Sequence, residues 1–309
     1  MRSPLIALLL AGCATSPAEA PPPSMDPSFL DEPDLAATAF LRTRGSTDPQ
    51  REVFFHWTGT IHELRPGGDT ASRAPLLRFE GFNVARAKPQ DGGWRLLTRE
   101  ITVYQDDQGQ IIDCWVDPSA GADPPGRPVL HTHNDPVSFG LGTPAHSLLD
   151  DRVVYSAVIP LAYPSPLPVA DHPQHSAGDT YRSVELFDFE VALADLADPT
   201  IHSVPTRITW SRTGQWLPWM GRGQQPGWLV YHATGRKLPG GWEDLPQALQ
   251  DWVMAEVPAY RHAPTEDVGP NQTSWTVYRD AAAAGELSET CTPEQQPNPT
   301  RTHRGETTP

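Results

Sequence analysis

The sequence is short of cysteine, of positive charge and of long apolar runs, and each shortage narrows what it does. Three cysteines stand in 309 residues and none belongs to a CxxC pair, which removes a dithiol centre. Cys114 also has no histidine near it in sequence. No apolar stretch reaches the roughly 18 residues of a membrane-spanning helix. Only 20% of residues are charged, with 23 Lys+Arg against 38 Asp+Glu and a formal net charge of −15. Without a Lys/Arg block there is no positive stripe to displace counterions, so nucleic acid is excluded as a partner. A GxSxG elbow and a phosphate-binding glycine loop are missing as well.

What is abundant is proline, 35 residues, with 24 glycines beside it. Each interior proline costs a helix about 3 kcal/mol, so a long helical bundle or coiled coil is ruled out. Ten Trp, nine Phe and seven Tyr supply a core.

The beginning of the chain carries the most specific motif. Arg2 precedes an apolar run from Leu5 to Leu10, followed by Ala11-Gly12-Cys13. The run is too short to span a bilayer and reads as a signal peptide. Small residues before a cysteine resemble the lipobox of bacterial lipoproteins. That resemblance implies cleavage after residue 12 and lipidation of Cys13, and Ala14 at the next position implies the periplasmic face of the outer membrane. Three acyl chains at about 0.8 kcal/mol per buried CH₂ make such an anchor effectively permanent. Residues 13–33 are Pro-, Ser- and Ala-rich and read as a tether. Residues 289–309 read as a disordered tail, leaving 34–288 as a single β-rich domain. An oxidising compartment permits a Cys114–Cys291 bridge. Against it, one cysteine lies mid-strand and the other in a polar tail, so the sequence leaves the question open.

Asp34 suggests a helix N-cap, with helical spacing of Leu35, Ala36, Ala39, Phe40 and Leu41 up to Gly45. Strand patterns cover Val53–Ile61, Leu76–Ala87, Trp94–Tyr104 and Gln110–Val116, separated by short Gly/Asp turns. Connections this short require antiparallel pairing. Further strands are expected at Val129–Asn134, Val153–Ile159, Tyr181–Val191, Arg207–Thr213 and Trp228–Thr234. Pro160 to Pro173 reads as a stiff loop. A late helix opens at Asp244-Leu245-Pro246 and stops at Pro258. The fold class is therefore all-β and mainly antiparallel. It is expected as a single up-and-down, lipocalin-like barrel or a two-sheet sandwich, with one or two short peripheral helices.

Several residues are candidates for chemistry. His131 and His133 share a strand face and form a two-point metal clamp, with Asp135, His172 or His175 as a third ligand. Asn134-Asp135-Pro136 reads equally as a turn. His56 and His62 share one parity, opposite Phe55, Trp57 and Ile61, and line the interior only if that interior is polar. Glu100 and Tyr104 share parity with Trp94 and Leu96. A carboxylate there is either paired with an arginine or raised in pKa, as a general acid requires. Arg212 opens a Pro/Gly-bounded stretch holding Trp216 and Trp219, which either meets a ligand at a cavity mouth or plugs a barrel end. Trp275 is expected to pack there too.

Several blocks resemble an uncharacterised bacterial family, the domain-of-unknown-function 1838 proteins. They include Glu80-Gly81-Phe82-Asn83, Thr98-Arg99-Glu100, Trp115-Val116-Asp117-Pro118, Asn134-Asp135-Pro136-Val137, Trp216-Leu217-Pro218-Trp219-Met220-Gly221 and Thr273-Ser274-Trp275. Matching stretches cover about residues 40–280. The resemblance implies one domain and no particular activity, cofactor or catalytic residue. The expected function is binding of a small, mostly apolar molecule in a barrel cavity. The alternatives are an enzyme using His131, His133, Asp135 and Glu100, and an envelope interaction module whose acidic surface steers basic partners.

Overall fold

A computed structural model describes residues 26–67, 74–121, 124–288 and 290–292. Cys13, the leader and most of the tether and tail lie outside the described residues. The order of elements is α1 (Pro33–Arg44), β1 (Glu52–Leu64), β2 (Leu77–Gln90), β3 (Gly93–Gln105), β4 (Cys114–Trp115), β5 (Arg127–Pro128) and β6 (Thr132–Gly140). Then come β7 (Ala145–Leu149), β8 (Arg152–Pro164), β9 (Thr180–Ala192), α2 (Leu193–Ala197), β10 (Arg207–Gly214), β11 (Trp228–Leu238), α3 (Gln247–Glu256) and α4 (Ser274–Ala284).

Nine strands form one antiparallel sheet in the order β6-β3-β2-β1-β11-β10-β9-β8-β7, while β4 and β5 pair separately. Every long strand lies beside its chain neighbour, and β1 pairs with β11 from Phe54↔Leu238 to Leu64↔Trp228. The meander thus curls back on its own start as a half-barrel. Its two edges are β6 and β7, joined by residues 141–144, with no ladder between them among the described residues.

One face of the sheet is concave. Phe55 on β1 meets Phe189 on β9, three strands away, with ring centroids 6.2 Å apart. Gly59 and Gly81 on this face make the curl possible. A Cβ at Gly59 would lie 2.5 Å from the Phe79 ring, and one at Gly81 would lie 2.1 Å from the Ile101 carbonyl oxygen and 2.9 Å from Trp57 Nε1. Glycine inside a strand marks such close approaches.

Two prolines expected to end strands do not. β6 runs through Pro136, where the register against β3 shifts between Thr98 and Glu100. β8 runs through Pro160 and Pro164, and its pairing with β7 ends at Ser156. Each proline therefore occupies an open edge, where a missing N–H costs no ladder bond. The strand expected over Gln110–Val116 shrinks to β4, and β7, α2 and α4 were not foreseen.

Helices close the ends of the half-barrel. At one end Phe40 of α1 packs on Tyr155 and Phe189. The carbonyls that end this helix are held by a buried amine: Lys237 Nζ donates to Arg42 O at 2.8 Å, Gly45 O at 3.2 Å and Ser203 Oγ at 3.1 Å. Arg42 reaches across to Leu196 O and Asp195 O, each at 2.9 Å, tying α1 to α2. At the other end Trp275 and Tyr278 of α4 join Trp216, Trp219 and Tyr104 in one cluster. Arg222, 2% exposed, lies 4.5 Å over the Trp216 ring and bonds to Glu63, Asp117 and Ser119. A Cys114–Cys291 disulfide closes this end. On the convex face α3 covers Phe82, Val84, Ile101 and Val103.

Because the Gly81 Cβ position is filled by backbone, Gly81→Ala is expected to lower stability by about 1–3 kcal/mol. A drop in the urea midpoint with an unchanged m value measures it.

Candidate functional site

Burial along the concave face is uneven. At the two ends the inward side chains are closed off from solvent, Phe55, Tyr155 and Phe189 beneath α1 and Ile61, Phe79 and Tyr104 toward α4. Between them Trp57, Glu100, Thr102, Asn134, Glu185, Phe187, Trp210 and Arg212 are only half-buried. The register puts these residues on one face: Trp57 opposes Gly81, Gly81 opposes Thr102, Glu100 opposes Asn134, and Trp210 opposes both Ala233 and Phe187. The small residues Gly235 and Ala233 of β11 lie between the two tryptophans, Gly235 opposite Trp57 and Ala233 opposite Trp210.

Polar atoms in this middle zone are left unmatched. Trp57 Nε1, Trp210 Nε1, the Tyr231 hydroxyl, Asn134 Oδ1 and Arg44 Nη1 are buried and have no hydrogen-bond partner among the described residues. A buried donor without an acceptor costs about 1–3 kcal/mol, so such groups in one place ask for an explanation.

Glu100 is the central ionisable group. Its Oε1 accepts from Asn83 Nδ2 at 3.3 Å, and Asn83 Oδ1 in turn accepts from Arg44 Nη2 at 3.1 Å. Burial, and then the Glu185 charge, push its pKa from the ordinary 4.5 up to about 7, against the opposing pull of Arg44 and Asn134. Arg44, above Phe55 at 5.1 Å, is brought down to about 10 by burial, with Glu100 working the other way. On the opposite wall Arg212 Nε donates to Ser183 Oγ at 3.0 Å, lies 3.6 Å from Glu185 Oε1 and also bonds the Tyr181 hydroxyl. Burial works against its charge, but Tyr181, Tyr231 and Glu185 raise its pKa above the ordinary value.

The candidate residues read from sequence separate into three places. Glu100 and Arg212 face the middle zone. Arg99, the arginine expected from sequence as the partner of Glu100, instead turns to the other face, where its Nε donates to Asp135 Oδ2 at 2.7 Å. Trp216, Trp219 and Trp275 are buried core at the α4 end, the plug rather than the mouth. Tyr104 joins them, 5.3 Å from Trp219, its hydroxyl 3.1 Å from Thr132 Oγ1 and its pKa raised to about 12 by burial.

The histidines lie elsewhere. His56 is on the convex face with its Nε2 2.7 Å from Glu80 Oε1. His133 opposes Ile101 and so shares the convex side, while His131 Nδ1 accepts from the Tyr104 N–H at 3.1 Å and meets Trp252 of α3 edge-on. Burial, followed by the His131 charge, lowers the His133 pKa. The two are neighbours but lack a third ligand. Asp135 is engaged by Arg99, and His175 packs on Tyr278 at the far end. Among the described residues no group of three His, Cys, Asp or Glu is placed to hold a metal ion. Glu100 is on the opposite side of the sheet, so a joint site of His131, His133 and Glu100 is not assembled.

Trp57, Trp210, Arg44, Asn134 and Glu185 were not singled out in the sequence. Trp57 was visible as part of the aromatic parity of β1. The inward direction of that parity emerges only from the curl.

A buried carboxyl with a raised pKa binds its proton more tightly folded than unfolded. Glu100 thus stabilises the fold fully below pH about 4.5, and this contribution is lost as pH rises to about 7, on the order of 3 kcal/mol in all. Glu100→Gln is expected to flatten that stretch of the stability–pH curve. Denaturation midpoints between pH 4.5 and 8 would test it; an unchanged slope contradicts the assignment.

The model of the family described as Protein of unknown function (DUF1838) matches residues 50–282. The match takes in all eleven strands, α3 and nearly all of α4, and leaves out α1 with Arg44. A search of curated proteins finds no match. With about three quarters of its length matched, including both walls of the half-barrel, the chain belongs to the DUF1838 family.

Proposed function

We propose that this chain is a lipid-anchored envelope protein whose half-barrel holds a small organic molecule between its two packed ends. The observation that carries the reading is the group of unmatched polar atoms on the half-buried middle of the concave face. Small-molecule sites combine an apolar, aromatic lining with a few fixed polar groups. Phe187, Trp57 and Trp210 supply the first, and the Trp57, Trp210, Tyr231, Asn134 and Arg44 side chains the second. A hollow of about 560 Å³ on the convex face, lined by Thr58, Thr60, Arg78 and His232 among others, includes none of these unmatched atoms.

The location rests on the Ala11-Gly12-Cys13 motif. Among the described residues no helix is long and apolar enough to cross a membrane; the attachment in this reading is the lipid on Cys13. A second reading of the same interior is catalytic. It draws on Glu100, whose carboxyl exchanges a proton near neutral pH, the range in which general acids and bases work best.

Titration of the full chain with the neutral probe N-phenyl-1-naphthylamine is expected to give saturable binding that quenches tryptophan fluorescence. Thr102→Phe, which puts bulk into the middle zone, is expected to abolish it. Absence of saturable binding, or binding indifferent to Thr102→Phe, overturns the interior site. Metabolic labelling with palmitate in a bacterial host is expected to mark the wild type and not Cys13→Ala; an unlabelled wild type removes the anchor.

A further inference from the structure

The middle zone has more free donors than acceptors. Trp57 Nε1, Trp210 Nε1 and Arg44 Nη1 are donors, with Asn134 Oδ1 the acceptor and the Tyr231 hydroxyl able to serve as either. Its charges are also unbalanced. Glu185 and Arg212 offset each other at 3.6 Å. Arg44 is in no ion pair among the described residues and touches Glu100 only through the Asn83 amide.

The free donors converge. Arg44 is fixed over Asn83, and Trp57 Nε1 lies over Gly81, two residues further along the same face of β2. Glu100 and Thr102 oppose these two positions on β3. A guanidinium N–H and an indole N–H thus overlook one short stretch of wall, with a carboxyl beside them. Aromatic rings continue from there, Phe55 under Arg44, then Trp57, and Trp210 with Phe187 beyond β11.

We infer that the ligand is a small monocarboxylate with a flat aromatic or conjugated body, its carboxylate turned to Arg44 and the Trp57 indole N–H, its ring against Trp210 and Phe187. This rests on the small-molecule reading above and names the class of molecule. Arginine and neutral N–H donors together recognise carboxylate oxygens.

The carboxylate would also lie beside Glu100, and two carboxylates cannot share that space unless one is protonated. The groups facing Glu100 are Arg44 from α1, Asn83 from β2, Asn134 from β6, and Glu185 with Arg212 from the far wall; Tyr260 approaches from the convex side. Glu185 already disfavours the ionised form, and a bound anion adds to it. Protonated Glu100 then donates to the ligand, so binding takes up a proton. Affinity is highest below pH about 7 and falls above it.

Calorimetric titration of the full chain with trans-cinnamate, 1-naphthoate and indole-3-acetate, beside their primary amides and with cinnamylamine, tests the inference. At pH 6 at least one acid is expected to bind ten-fold or more tighter than its amide. Between pH 7.5 and 9 its affinity is expected to drop about ten-fold per pH unit, with proton uptake revealed by buffers of different ionisation enthalpy. Glu100→Gln is expected to keep acid binding and remove the pH dependence. Arg44→Met is expected to erase the preference for acid over amide, and Arg44→Lys to keep part of it, with circular dichroism confirming that each variant is folded. Amides or the amine binding as well as the acids, with Thr102→Phe blocking them, would overturn the carboxylate inference and leave the interior site standing. Failure of every probe, charged or neutral, would sink both.

Discussion

Pairing between β1 and β11 is the constraint on which the rest of the structure depends. It joins strands about 180 residues apart and turns a linear meander into a curled sheet with an inside. Closing so long a loop has an entropic cost that grows only slowly with length. The backbone ladder from Phe54↔Leu238 to Leu64↔Trp228 and the aromatic contacts across the concave face offset it together. Without that ladder the sheet would split between β1 and β11, parting Trp57 from Trp210 and Glu100 from Glu185.

The curl creates an interior, and side-chain size decides where that interior is filled. Phe40, Tyr155 and Phe189 pack one end solid; Trp216, Trp219, Trp275 and Tyr278 do so at the other. Between them the inward positions alternate bulk with near-absence: Trp57 over Gly81, Phe79 over Gly59, Gly235 and Ala233 before Trp210. Polar end-anchors make the same division. Lys237 and Arg222 are buried side chains whose donors meet carbonyls, carboxylates or hydroxyls, and each fastens an end. The middle zone instead holds several buried polar atoms without partners among the described residues, as do Tyr155 and Trp219 at the ends, and each costs stability.

How much of this was legible in the sequence follows from the range of each signal. Antiparallel architecture was, because strand period and short Gly/Asp turns act within about ten residues. The parity of Phe55 and Trp57 against His56 and His62 was also visible, and so was that of Glu100 and Tyr104. Which parity faces inward was not, since it is decided by contacts such as Phe55 on Phe189, made across the whole sheet. Pro136 and Pro160 were misleading for a related reason. Proline ends a strand only where its missing N–H matters, and a strand's place at an edge is a property of the sheet. The same holds for Cys114 and Cys291, which meet only when the tail folds back beside β5. In α4 the Ala281–Ala284 run leaves Trp275 and Tyr278 as its two buried apolar residues, a thin stripe to read from sequence.

Arg99 and Glu100 show how one strand divides structural from chemical work. They are adjacent, so the pleat sends them to opposite faces. Arg99 meets Asp135 and the carbonyls of Ala259 and His262 on the convex side, a satisfied cation fastening the segment after α3 to the sheet. Glu100, denied that neighbour, has the Asn83 and Asn134 amides and the more distant Arg44. Had both residues faced the same way, an ordinary ion pair would have held the carboxyl low and charged. The pleat instead leaves an acid among aromatic rings, close to neutrality in pKa, on a stretch of wall that also carries unmatched donors. That separation follows from strand geometry alone, and it gives the interior a group that responds to charge brought in from outside.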